Sequence, residues 1–390
     1  MNKLKNIGIS ALAGTLVSLS AAQAGGVSVS GAYELSYTGL DHGPRSGVDG
    51  NKLGVKKNIS FGASGDVTDG GGVTWATNIG WTDGADLSSA SLAINMGGIA
   101  TLTYDSGGGG TGANASDNIV PTAWEEVDYG FSTGISDLGT VSASKGVITL
   151  GIKAPVAGTG FSISYASGMS AGHISDGTTG GADGNKGVDV VVDFVNYSAA
   201  HAGFRFGVAG QMEFPEMTCK RQRRDYASAG DQNTCAGVKH NPYGGSVFTT
   251  LALGPIHLGT QATFNNPATS GAADIMNKRS IVGGAALVFG DTLSVSYGVA
   301  YDKYRYNNRN RGFVVAPGGA WSSRDTANAH TNNGPEEHEY VTQKYRGWSA
   351  ALNMGPVALK GTHNKVDGQE ATSIYEHDKT HTELNLSIAY

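Results

Sequence analysis

The chain has 390 residues, 60 of them Gly and only 10 Pro. Gly is about twice as frequent as in an average protein, while charged residues, at 15%, fall well short of the usual quarter. With a formal net charge of −6, no Gly at every third position and no apolar run of about 20 residues after residue 24, the composition argues against collagen, a highly charged disordered chain, a helical membrane protein and a basic nucleic-acid-binding protein.

In chain order, Lys3 and Lys5 precede an apolar or small stretch, Ile7–Ala22, and the small-x-small triplet Ala22-Gln23-Ala24 follows. This pattern predicts a secretory signal peptide over residues 1–24, leaving residues 25–390 as the exported domain. The period is then two. Val27, Val29, Tyr33, Leu35 and Tyr37 alternate with Ser28, Ser30, Ala32, Glu34 and Ser36, and Gly31 is the only gap on the apolar side. Leu53, Val55, Ile59 and Phe61 alternate with Lys52, Lys56, Asn58 and Ser60. At the far end Leu384, Leu386, Ile388 and Tyr390 alternate with Glu383, Asn385, Ser387 and Ala389.

Strands are predicted near 27–37, 52–64, 72–81, 87–95, 98–105, 146–154, 159–167, 187–197, 202–212, 243–253, 256–265, 279–289, 292–303, 344–353, 356–366 and 380–390, sixteen in all. The connections alternate between short and long. Short ones include Met96-Gly97, Gly254-Pro255, Gly290-Asp291 and Gly355. Long ones are Thr38–Asn51, Ser106–Lys145, Gly168–Lys186, Glu213–Pro242, Asn266–Lys278, Tyr304–Gln343 and Asp367–Lys379, with Thr82–Asp86 a short exception on the long side. Strands joined by two residues run antiparallel, so short turns collect at one end and long loops at the other. A tilted strand of 9–11 residues crosses a bilayer, and in lipid a sheet must close on itself to pair its backbone groups. The fold class is therefore all-β, a transmembrane antiparallel barrel of sixteen strands. A soluble sandwich would not sort its loops by length, and a β-helix would show a fixed repeat.

Strand count, loop sorting, the large loop after the fifth strand and an aromatic last residue together resemble the sixteen-stranded, trimeric outer-membrane porins of Gram-negative bacteria. The terminal Tyr390 stands where that family usually has Phe, and Thr82–Asp86 is too short to latch far over a neighbouring subunit. The resemblance implies a homotrimer in the outer membrane that passes small hydrophilic solutes and ions by passive diffusion without catalysis. It also implies that the loop 106–145 folds inward as the constriction, and that the barrel-assembly machinery reads Tyr390. A substrate-selective porin and a structural or adhesive surface barrel are the rival functions.

Within that loop Asp117, Glu125, Glu126, Asp128 and Asp137 are acidic, and Trp124, Tyr129 and Phe131 are placed to pin it. Strand parity puts Lys56, Lys153, Arg205 and Lys360 on the polar, inward phase, and Lys57 on the outward one. An acidic loop facing basic wall residues would set a transverse field across the gap. Inward Gly54, Gly80, Gly207 and Gly259 are read as keeping the lumen open.

Cys219 and Cys235, in an exported chain, favour a disulfide over two free thiols or a metal pair. The run Lys220, Arg221, Arg223 and Arg224 between them could meet lipopolysaccharide phosphates, though a solvated loop suffices. Gly107, Gly109 and Gly112 match GxGxxG by accident of four consecutive glycines, with no helix behind them. His377 and His381 would converge only on a helix, and the cluster Glu336-Glu337-His338-Glu339 offers at most a weak Ca²⁺ site. No cofactor is expected.

Overall fold

The computed structural model describes residues 26–41, 52–67, 72–83, 87–106, 113, 116, 119–131, 145–153, 159–169, 186–198, 202–214, 241–266, 275–306, 313–315, 321–323, 340–368 and 379–390. The expected leader 1–24, Asp117, Asp137, Cys219, Cys235, the 220–224 basic run, the Gly107–Gly112 motif, the 336–339 cluster and His377 lie outside these residues.

The strands are β1 (Val27–Asp41), β2 (Leu53–Asp66), β3 (Val73–Thr82), β4 (Leu87–Met96), β5 (Ala100–Asp105), β6 (Lys145–Lys153), β7 (Thr159–Met169), β8 (Gly187–Ser198) and β9 (Ala202–Glu213). They continue as β10 (Tyr243–Leu253), β11 (Ile256–Asn266), β12 (Ile275–Phe289), β13 (Leu293–Tyr306), β14 (Phe313–Val315), β15 (Trp321–Ser323), β16 (Tyr340–Met354), β17 (Val357–Gly368) and β18 (Lys379–Ala389). All but β14 and β15 form one closed barrel, in which each strand pairs antiparallel with its neighbours in sequence and β18 returns to β1. All sixteen predicted barrel strands are present. The pair β14–β15 is an addition within the stretch read as a plain loop.

Alternation sorts the two faces of the wall. Along β1, Val29, Tyr33, Leu35 and Tyr37 are exposed, while Ala32 is buried. The same holds around the ring. Val295, Tyr297, Val299 and Tyr301 on β13 are exposed, whereas Ser294, Ser296 and Asp302, on the alternate phase, are buried. A soluble protein hides such side chains; here they form a continuous apolar outer band, as a lipid-facing wall requires.

Several strands run further toward the long connections than alternation of apolar residues indicates. β12 begins at Ile275, β13 ends at Tyr306 and β16 begins at Tyr340. The hydrogen-bond ladder continues there through Lys278, Arg279, Lys303 and Arg305, because strand pairing depends on the backbone and not on apolar side chains. The fifth strand starts later than expected, at Ala100, since Gly97 and Gly98 take φ of 62° and 77° in the preceding turn. Asp83 makes the short β3–β4 connection with φ 59°; its backbone N–H donates to Lys57 O and its carboxylate accepts from Lys57 N–H at 2.8 Å.

The seam closes on the last residue. Gly31 N–H donates to Tyr390 O at 2.9 Å, and Tyr390 N–H donates to Gly31 O at 3.0 Å. A side chain at Gly31 would collide with the Tyr390 ring, whose hydroxyl donates to Asn58 O at 3.4 Å. The one gap in the apolar run of β1 is thus the seat of the terminal ring. Deleting Tyr390, or Gly31→Val, is expected to lower the folded fraction several-fold on refolding into detergent. Heat-modified electrophoretic mobility measures it, and an unchanged folded band for both variants would show that the seam does not need this contact.

Candidate functional site: the segment inside the wall

Residues 119–131 follow β5 and lie against the polar-phase side of the opposite wall, held by their main chain. Gln261 on β11 accepts from Ile119 N–H at 3.4 Å and donates to Ser116 O at 3.1 Å. Ser296 on β13 accepts from Ala123 N–H at 2.8 Å, and Ser349 on β16 accepts from Trp124 N–H at 3.2 Å. Asn364 on β17 donates to both Glu126 O, at 2.8 Å, and Tyr129 O, at 3.1 Å. An irregular segment packed against a wall needs such partners for its backbone groups, and polar strand positions supply them.

The wall is shaped to receive it. Gly259, Gly284, Gly298 and Gly347 lie directly opposite one another across β11, β12, β13 and β16. A Cβ at Gly259 would collide with Pro121, one at Gly284 with Val120, one at Gly298 with Val127 and one at Gly347 with the Asn364 side chain. Three of the four missing side chains leave space that the segment fills, and the fourth, at Gly347, makes room for the Asn364 side chain that holds it. Val120 and Val127 join Val282, Ala300, Tyr345 and Val366 in a small apolar cluster, with Phe131 packed on it. Gly259, expected to keep the lumen open, instead underlies Pro121, and Gly207 underlies the Phe248 ring. Small residues here make room for packing.

The expected aromatic pins are present. Tyr129 meets His381 edge-on at 5.4 Å between centroids, and Phe131 lies 5.9 Å from Tyr345. His381 thus packs beneath the segment, and Gly130, with φ 87°, leaves room for its ring.

Of the candidate charged residues, three meet in one place. Lys360 on β17 sets its ammonium 5.7 Å from the centre of the Trp124 ring. Glu125 lies in the electrostatic range of Lys360 and Lys56, and also of Glu383 and Glu34. Its carboxyl is pushed up to about 7, first by burial and then by Glu383, against the opposing pull of Lys360 and Lys56. Tyr129 is held well above its ordinary value, first by burial and then by Glu383, to which its hydroxyl is hydrogen-bonded. Glu34 stands directly opposite Lys56 and accepts from Asn385 Nδ2 at 3.3 Å. The wall facing Glu125 is therefore of mixed charge. Glu34 and Glu383 were visible in sequence only as polar members of an alternation; register is what brings them to the site.

The other candidates lie elsewhere. Arg205 on β9, across the barrel, is held by Asp193, with Nε at 3.0 and 2.9 Å from the two carboxylate oxygens and the shortest approach at 2.6 Å. Its guanidinium covers the Phe248 ring at 4.9 Å. Glu126 borders a small cavity with Val120, Val127 and Asn364, and Asp128 is in electrostatic range of Asp302. Lys153 is exposed and is the last residue of β6.

Comparison with solved structures finds barrels of the same form. An outer-membrane protein of Vibrio cholerae, OmpT lacking its loop L8, is 10% identical, with a TM-score of 0.56 over 94% of this chain and all of the other. Salmonella typhi OmpF, solved with daunomycin, is 10% identical with a TM-score of 0.56 over 96% of this chain and 100% of the other. Pseudomonas putida OprB is 9% identical with a TM-score of 0.54 over 93% and 94%. At these identities the likeness is one of fold. Neither a protein-family model nor a curated protein sequence matches the chain.

If the glycine row seats the segment, Gly284→Val should displace Val120 and expose the main chain of 119–131. The amides of Ala123 and Trp124 are expected to exchange hydrogen about tenfold faster, while those of β10 and β11 stay protected. Equal protection in variant and wild type would show that the seat does not depend on the missing side chain.

Proposed function

We propose that this chain is an outer-membrane porin, a water-filled channel for passive diffusion of small hydrophilic solutes and ions, with residues 106–145 as its constriction. What supports it most is the main-chain anchoring of 119–131 to Gln261, Ser296, Ser349 and Asn364. These are polar-phase residues of a wall whose other phase is an exposed apolar band. A closed barrel of sixteen strands leaves an aqueous bore, and a segment laid across it sets the cutoff. The fold shared with outer-membrane barrels agrees with this location. Selection between ions then falls to the mixed group Glu125, Glu34, Glu383, Lys56 and Lys360. Assembly as a homotrimer rests on the resemblance to trimeric porins. No catalytic group is needed.

Planar-bilayer recording tests the channel. Ohmic conductance in triplet steps with little block by sugars supports general diffusion. Saturable block by one solute class supports the selective alternative, and a folded barrel without conductance overturns both. Glu125 gives a pH signature. Above pH 7 its carboxyl is ionised and favours cations; below pH 7 it is neutral and that contribution disappears. Lowering the pH from about 8.5 to about 5.5 should cut the cation-to-anion permeability ratio about twofold, with a midpoint near 7. Glu125→Gln should remove that midpoint and move the reversal potential toward anions at high pH. A reversal potential that is the same in variant and wild type would place Glu125 outside the ion path.

A further inference from the structure

Four adjacent strands, β2, β1, β18 and β17, carry both signs of charge on their polar phase. Lys56 on β2 stands directly opposite Glu34 on β1. Lys360 on β17 stands directly opposite Asn385 on β18, two residues after Glu383. Two ammonium groups thus flank a centre of two carboxylates and one amide. The centre is deep, with Lys360 and Glu383 each 7% exposed and Asn385 3%. Lys56 and Tyr129 at its margin are exposed, so solvent reaches the group from one side.

The group is not closed on itself. Asn385 donates through Nδ2 to Glu34 Oε2 at 3.3 Å, yet its buried Oδ1 has no hydrogen-bond partner among the described residues. Lys360 sets its ammonium 5.7 Å from the centre of the Trp124 ring, with Glu34, Glu125 and Glu383 in electrostatic range. Among the described residues it closes no ion pair with any of them. A buried acceptor without a donor and a buried cation without a bonded anion each cost free energy. Charge-assisted hydrogen bonds from a ligand would recover it at both points.

The charges select the ligand. A lone anion on Lys360 would face Glu34, Glu125 and Glu383. A lone cation beside Asn385 Oδ1 would face Lys56 and Lys360. A solute with an ammonium and a carboxylate on neighbouring atoms satisfies both, because directly opposed side chains such as Lys360 and Asn385 have Cβ atoms only about 5 Å apart. We propose that this junction of β1, β2, β17 and β18 is a binding subsite for small zwitterions of the α-amino acid class. The ligand carboxylate meets Lys360 beside the Trp124 ring, and the ligand ammonium donates to Asn385 Oδ1, Glu34 and Glu383. A few convergent polar groups beside an aromatic ring are the usual makeup of a small-molecule site. The subsite rests on the channel reading above for its role in passage, and on its own residues for binding.

The test folds the full barrel in detergent and titrates alanine, alaninamide and propionate, reading affinity by saturation-transfer NMR. Alanine is expected to bind saturably, about tenfold more tightly than alaninamide, which lacks the anion, or propionate, which lacks the cation. K360Q and N385A should each weaken alanine about tenfold, with heat-modified mobility confirming the fold. Lys57→Gln, outward on β2, should change nothing. Propionate binding as tightly as alanine would make this a simple anion site and overturn the proposal, as would full alanine affinity in both variants. Bilayer recording of the same preparation separates this proposal from the channel itself. Alanine binding without conductance would sink the channel reading and leave the subsite. Conductance without alanine binding would overturn the subsite alone.

Discussion

Everything in this molecule depends on the pairing of β1 with β18. An open sheet of sixteen strands would leave two rows of unpaired backbone N–H and C=O groups, which neither lipid nor a dry interface could satisfy. The ladder from Ala32–Ala389 to Asp41–Thr380 removes both edges. Closure then fixes inside and outside for every strand, because alternation leaves each residue only two directions. Apolar side chains on one phase form the outer band, and Ser, Thr, Asn and Gln on the other become available to anything placed within the ring.

The segment after β5 is bonded to those polar-phase residues. Its seat combines a depression, made by three of four aligned glycines, with donors and acceptors spaced along its margin. The two parts are complementary. The glycines let the backbone approach closely, and close approach makes its N–H and C=O groups reachable for short side chains such as Ser296 and Ser349, which also bond each other at 2.8 Å. The result is a segment packed on the polar-phase face of β11, β12, β13, β16 and β17.

Much of this was legible in the sequence, for a physical reason: period two is imposed residue by residue, so a single chain displays it without reference to neighbours. All sixteen barrel strands could be read that way, and even the gap at Gly31 marked a real contact. Features that depend on register were hidden. Gly259, Gly284, Gly298 and Gly347 are far apart in the chain, and nothing local distinguishes them from other glycines. Glu34 and Glu383 are likewise ordinary members of alternating runs until pairing carries them to Lys56 and Lys360. Arg205 differs again: parity placed it on the polar phase, and pairing of β8 with β9 adds Asp193, twelve residues earlier, as the partner of its charge. The extra length of β12, β13 and β16 was missed because the apolar pattern stops where the hydrocarbon would stop, while the ladder continues.

The main-chain anchoring of 119–131 has a consequence for how such a protein can diverge. Gln261, Ser296, Ser349 and Asn364 grip backbone atoms, which every residue possesses. The side chains of Glu125, Glu126 and Asp128 take no part in those particular bonds, so they can be exchanged without releasing the segment. Position is written in the wall and side-chain chemistry in the segment, and the two can vary separately. If the segment filters as proposed above, a lineage could retune what crosses the barrel through a few substitutions in one short stretch, leaving the architecture that carries it untouched.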